Sequence, residues 1–341
     1  MKFIQFNIFL ALIIAVSIPE QNLAQEKVGQ TGMQFLSVVS NSRVAALGNA
    51  VSARELKSNS LFFNPATMGF DTSMIDLSFS INQWIADINH NNASVSISPF
   101  NGDYGVFGLS LILVDYGVIE GTVWANNEAG YEDIGNISPS AFSLGLGYSK
   151  KLSTAFSVGG QIKYVKQSLG KSTVPGEIDP VSLELLSTKT EENDLSLVAF
   201  DFGTLFKTGF NSLQFGMSVR NFSQETKYVS ESFETPLTFT FGLATDLMDY
   251  AEYISLSNEN HSLWISCDVI DTRSRDPQIA VGLEYGLLKK FYLRGGYISN
   301  VDEANFNFGV GISYAGLSFD YSYTPYGVFG NIQRLTTSFT Y

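Results

Sequence analysis

FNFGVGISYAGLSFDYSY, residues 306–323, decides how this chain folds. Apolar side chains stand at Phe306, Phe308, Val310, Ile312 and Tyr314. The chain then turns at Ala315-Gly316 and resumes the same beat at Leu317, Phe319, Tyr321 and Tyr323. A period of two is the pleat of a β-strand, and two such runs joined by a tight turn form an antiparallel pair. The same alternation recurs at Leu237, Phe239, Phe241 and Leu243, and at Ile279, Val281, Leu283 and Tyr285, with Ser, Thr, Gly, Asn and Gln between. It predicts strands near 74–81, 91–99, 104–116, 140–149, 154–167, 194–207, 211–222, 235–246, 261–271, 277–287, 290–298, 304–314, 316–324 and 331–341.

A soluble sandwich alternates in the same way, so count and connection lengths decide. The predicted strands make an even set of about fourteen, as in bacterial single-chain barrels. One set of connections is short: PFNGDYG, SKKLST, KTGFNS, LLKK and Ala315-Gly316. The other set, 117–139, 168–193 and 223–234, is long and acidic. Short periplasmic turns with long outer loops are the pattern of outer-membrane barrels. The connection 247–260 breaks it, being long on the short side: either an insertion there or a slipped count.

Composition agrees. Of 341 residues, 45% are hydrophobic and 16% charged, too apolar for disorder and too poor in charge for a coiled coil. The net charge of −13 opposes nucleic-acid binding, which needs clustered cations. Cys267, the only cysteine, can make neither an internal disulfide nor a cysteine zinc site. Lys2 followed by the apolar run Ile4–Ile18 reads as a signal peptide, residues 1–24, cleaved between Ala24 and Gln25. No other stretch has the ~18–20 apolar residues of a spanning helix, so an exported membrane protein of this sequence spans as a barrel. Residues 25–73 lack strand period; a short helix near 42–50 and a turn at Phe63-Asn64-Pro65-Ala66 are expected there. Such a segment ahead of a barrel, residues 74–341, most simply folds into the lumen as a hatch. The chain closes on Leu335, Thr337, Phe339 and Tyr341, and an aromatic end resembles the signal read by the outer-membrane assembly machinery.

The N-terminal stretch resembles the PorV/PorQ family of FadL-like outer-membrane barrels. The likeness lies in Gly32-Met33-Gln34-Phe35-Leu36, RVAALG at 43–48 and Phe63-Asn64-Pro65-Ala66. It continues through DYGVIEGT at 115–122, GLEYG at 282–286, LRGGY at 293–297 and PYGVFGNIQR at 325–334. Asn49 stands where a second glycine is usual, and Thr67 where NPAG is usual. The resemblance implies a fourteen-stranded barrel with a periplasmic N-terminus in a Gram-negative outer membrane, with a role near type IX secretion. Its partners would be membrane lipid, secretion-system subunits or secreted cargo. A FadL-like channel for a hydrophobic small molecule and a purely structural barrel stay open as alternatives.

Enzymatic constellations are missing from the sequence. There is no GxSxG, P-loop or HExxH motif. His90 and His261 fall at opposite barrel ends and read as solvated loop residues. Asp268, Asp271 and Asp276 bracket a loop with some capacity for calcium, without EF-hand spacing; no metal, cofactor or catalytic residue is expected. The informative charges lie within strands. Arg220 alternates against Met217 and Val219, Glu284 against Leu283 and Tyr285, Arg294 against Leu293, Asp320 against Phe319 and Tyr321, and Asp201 against Phe200 and Phe202. A basic group on the lipid face at midplane costs ~2–4 kcal/mol, so these residues are expected to face inward. Mixed signs suggest interior ion pairs, with Arg43 or Arg54 of the hatch reaching Glu284 or Asp320.

Overall fold

A computed structural model describes residues 31–124, 127–175, 188–228, 231–253 and 260–341. The expected signal peptide and cleavage point lie outside them. Fourteen antiparallel strands close a barrel: β1 Ile75–Gln83, β2 Asn89–Ile97, β3 Val106–Asp115, β6 Ser140–Lys151, β7 Phe156–Pro175, β8 Thr188–Lys207 and β9 Gln214–Ser223. The circle continues with β12 Thr238–Asp246, β13 His261–Thr272, β14 Gln278–Leu287, β15 Phe291–Ile298, β16 Phe306–Tyr314, β17 Leu317–Pro325 and β18 Asn331–Thr340. Each strand pairs with its neighbour in this order, and β18 pairs with β1 to close the seam, Leu77 opposite Phe339 and Ser80 opposite Thr336. Among the described residues no helix is long and apolar enough to cross a membrane.

Alternation sets the two faces. In β12, Phe239 and Phe241 are exposed while Thr238 and Thr240 are buried. In β1, Leu77, Phe79 and Ile81 point out while Asp76, Ser78, Ser80 and Asn82 point in. Apolar side chains outside and polar ones inside invert a soluble protein, and closure leaves no strand edge unpaired along the wall. Both are what a hydrocarbon solvent demands, and the barrel is an outer-membrane protein.

Two features depart from the sequence expectation. β7 and β8 run on past the wall: β6 follows β7 only to Ser168, after which Lys171–Pro175 pair with Thr188–Glu192 alone. Two small ribbons also stand in the long connections, β4 Ile119–Trp124 with β5 Tyr131–Ile137, and β10 Thr226–Tyr228 with β11 Glu231–Phe233. Away from the wall neither face of a ribbon must be apolar, so no alternation announces it. The connection after β12 starts with a 3-10 turn, Leu247–Tyr253, and lies at the short-turn end, so the strand count does not slip there.

The segment before β1 fills the space the strands enclose. Its first described residue, Thr31, bridges to Glu234 at the long-connection end, and Phe35 and Leu36 pack with Val114, Ala141, Val165 and Ala199. Its last residues reach the short-turn end, where the Asp71 carbonyl accepts from the Ser98 hydroxyl. The chain thus crosses the lumen from one end to the other before entering the wall. Thr31 itself sits at the long-connection end, opposite the short turns.

Candidate functional site in the barrel lumen

A short helix α1, Ser42–Ala46, is capped by Asn41, whose side chain accepts from the Val44 amide at 3.0 Å. The chain then reverses through Gly48 and Asn49, with φ of 61° and 71°. This left-handed region explains the Asn49 departure, since asparagine tolerates it better than any other residue except glycine. The turn delivers the Val51 and Ser52 amides to one oxygen of Asp268, at 2.9 and 2.8 Å, and carries Arg54 toward β14.

Five charges meet there. Glu284 accepts from Arg43 at 2.9 and 2.8 Å, from Arg54 at 2.5 Å and from Arg294 at 2.7 Å; Arg294 also reaches Asp320 at 2.6 Å. Glu284 and Arg294 face each other directly across β14 and β15. Arg54 additionally lies 4.0 Å over the Trp264 ring. Two arginines of the N-terminal segment are therefore bound to a carboxylate of the wall. Removing one partner of such a buried set costs ~3–5 kcal/mol, because the others stay charged and unpaired.

Glycines of the inner wall set how closely the segment fits. A Cβ on Gly296 would fall 2.1 Å from the Gly48 nitrogen, one on Gly216 2.0 Å from the Ser52 carbonyl, and one on Gly159 2.6 Å from the Ala66 nitrogen. Gly203 and Gly309 make room for side chains instead, the Asn64 amide and the Ala46 methyl. At Gly159, Gly216 and Gly296 backbone lies directly on backbone. The Phe63-Asn64-Pro65-Ala66 turn is part of this fit. Asn64 accepts from Ala66 N and donates to the Ser52 and Thr204 carbonyls, and Thr67, the other departure, bonds Ser60 and the Asn64 carbonyl.

Asp201 and Arg220 also face the lumen. Asp201 pairs with Lys163 at 2.8 Å and accepts from the amide of Asn221, which bulges at φ 61°. Arg220, beside that bulge, donates to the Phe62 carbonyl at 2.8 Å. Sequence reasoning did not reach Lys163 or the Asp268 contacts; an inward phase against Ile162 and Tyr164 was the available signal for Lys163. The aspartates proposed for calcium do not converge: Asp268 is buried inside, Asp271 is on the opposite face, and no metal-binding group occurs among the described residues. The histidines are not loop residues. His90 is buried in β2 with its ring beside Trp84, and His261 in β13 contacts the Tyr285 hydroxyl at 2.5 Å. The inward polar face of the barrel gives the His90 imidazole room that a soluble core would not, whereas His261 shares the outward phase of Val269 and Asp271. Phe339 points outward on β18, opposite Leu77 and Leu317, and Tyr341 lies exposed just past it.

Chambers lie on both sides of the segment. One of about 440 Å³, toward the long connections, is lined by Trp84, Ser218, Arg220, Asp268, Tyr326 and Arg334, among others. A second of about 390 Å³, toward the short turns, is bounded by Arg43, Arg54, Glu284, His261 and Lys289. A third of about 530 Å³ at that end contains Arg43, Asp76 and Asp320. The charged set therefore faces the short-turn side, and Asp268 with Arg220 the other.

Residues 48–327 match the family model described as type IX secretion system membrane protein PorP/SprF. No curated protein matches the chain. Among solved structures it is similar to the CymD monoaromatic hydrocarbon channel, at 11% identity and TM-score 0.55 over 88% of this chain and 96% of that one. The Pseudomonas putida toluene transporter TodX gives 12% and 0.57 over 87% and 97%. A Pseudomonas aeruginosa FadL homologue gives 14% and 0.51 over 89% and 98%. At these identities the likeness carries the fold.

Proposed function

We propose, from the premise that the chain belongs to the PorP/SprF family of type IX secretion system membrane proteins, that it works as a closed docking barrel. The N-terminal segment acts as a hatch that keeps the lumen shut, and no catalysis is involved. Exported proteins or secretion-system subunits then engage the long connections and their ribbons, and do not pass through the barrel. The observation that carries this reading is the bond between segment and wall: Arg43 and Arg54 on Glu284, over glycines that admit no Cβ. The finer kinship with PorV and PorQ rests on the quoted sequence phrases alone. The Phe339–Tyr341 end is proposed as the feature that the outer-membrane assembly machinery reads.

Planar-bilayer conductance tests the reading. The intact protein is expected to be nearly closed, and a form lacking residues 27–60 to assemble and conduct. Equal conductance of the two forms would refute the hatch. Loss of folding in the deletion would instead make the segment part of the core.

A hydrophobic-solute channel is the second reading, favoured by the fold it shares with CymD and TodX. Against it stands the lining of the first two chambers, where Arg220, Asp268, Arg334 and Glu284 are poor company for a hydrocarbon.

A further inference from the structure

The chamber toward the long connections is built like a binding site, and what it offers goes beyond the docking role. Three polar side chains that line it, Ser52, Ser218 and Asp268, are nine-tenths buried or more, yet each has an oxygen without a hydrogen-bond partner among the described residues. The Nε of Arg220 is likewise buried and unpartnered. A Cβ on Gly242 would land 1.9 Å from that oxygen of Asp268 and 2.2 Å from the Ser52 hydroxyl, so the glycine gives these two groups the room in which they lie side by side against the wall. An unmet buried donor or acceptor costs ~1–3 kcal/mol, and several at one place point to an occupant that satisfies them together.

The side wall differs in kind. Trp84 and Tyr326 meet edge to face at 5.6 Å, and Tyr326 continues to Phe329 at 6.0 Å. The charged lining cancels, with Arg220, Arg275 and Arg334 against Asp268, Asp302 and Glu303. A net-neutral chamber does not select an ion. Free acceptors beside a free donor do not select a hydrocarbon. Aromatic rings in the same chamber as those polar groups ask for a ligand with one apolar face and many hydroxyls.

We propose that this chamber binds a neutral sugar, one ring or a short saccharide. A ring lies with its C–H face toward Trp84 and Tyr326. Neighbouring hydroxyls donate to Asp268 and accept from Arg220 Nε, with Ser218 and Ser52 completing the set. About 440 Å³ is within the range of small-molecule sites, ~300–1,000 Å³. The inference needs the segment in place, since Ser52 belongs to it, but holds whether or not the barrel serves as a docking partner.

Calorimetric titration of the full-length protein in detergent, with glucose, mannose, N-acetylglucosamine and maltose as probes, tests it. At least one probe should saturate at millimolar concentration or below and raise the thermal unfolding temperature of the unmodified protein. Trp84→Ala and Ser218→Val should each weaken that binding about tenfold, the scale of one lost contact of ~1.4 kcal/mol. Ser262→Ala, in the opposite chamber, should leave it unchanged. Heat-modifiable gel mobility identifies variants that have folded. The proposal is overturned if no probe saturates, if binding ignores both Trp84 and Ser218, or if toluene displaces the bound sugar.

Discussion

Glu284 holds three arginines at once, two of the segment and one of the wall, and among the described residues no other binds the segment to the wall through two ion pairs. Glu284→Gln keeps the shape and removes the charge, leaving Arg43 and Arg54 with only neutral acceptors. Loss of ~3–5 kcal/mol is expected, seen as a lower temperature for the heat-modifiable shift on gels; an unchanged shift would mean that water already neutralises the cluster. Neighbouring glycines provide a second residue-scale test. Gly296 faces the segment backbone, whereas a Cβ on Gly295 meets nothing within 4 Å. Gly296→Ala should expose the segment to trypsin at Arg43 or Arg54 with the barrel intact, and Gly295→Ala should not. Equal cleavage of both variants would mean that the tight fit does not hold the segment. The pairing of Arg43 and Arg54 with Glu284 was legible in the sequence because charge within a barrel strand has to turn inward and find its opposite. The contacts of Asp268 were not, because its partners are two backbone amides whose position depends on the Gly48-Asn49 turn.

Elements divide along the same line. The fourteen wall strands can be read off because lipid on one side and polar lumen on the other force a period of two, as at Phe239 and Phe241 against Thr238 and Thr240. The extensions of β7 and β8 carry no such constraint, and the alternation gives out near Gln167 although pairing continues to Pro175. The segment before β1 shows its helix at Ser42–Ala46 and its Asn64 turn in outline, but its path is irregular and follows the glycines of the wall. Orientation in the membrane is the open prediction at this scale. Cysteines placed at Lys150 and Pro175 in a Cys267→Ser background should label oppositely on intact cells, 175 accessible and 150 protected, because short turns face the periplasm in barrels of this type. Labelling at 150 alone would invert the protein.

Considered whole, the molecule is a wall whose first and last strands meet at the β1–β18 seam, with a length of its own chain running through the middle from Thr31 to Ile75. That path has a consequence for order of assembly. A thread that spans the bore and leaves backbone against backbone at Gly216, Gly296 and Gly159 cannot be drawn in afterwards through a finished ring without clearing every one of those contacts. The seam therefore has to be the last join made. The sheet must curl around a strand of chain already lying across it, as staves are raised around a core, and the closing bonds between Leu77 and Phe339 are what make the enclosure permanent.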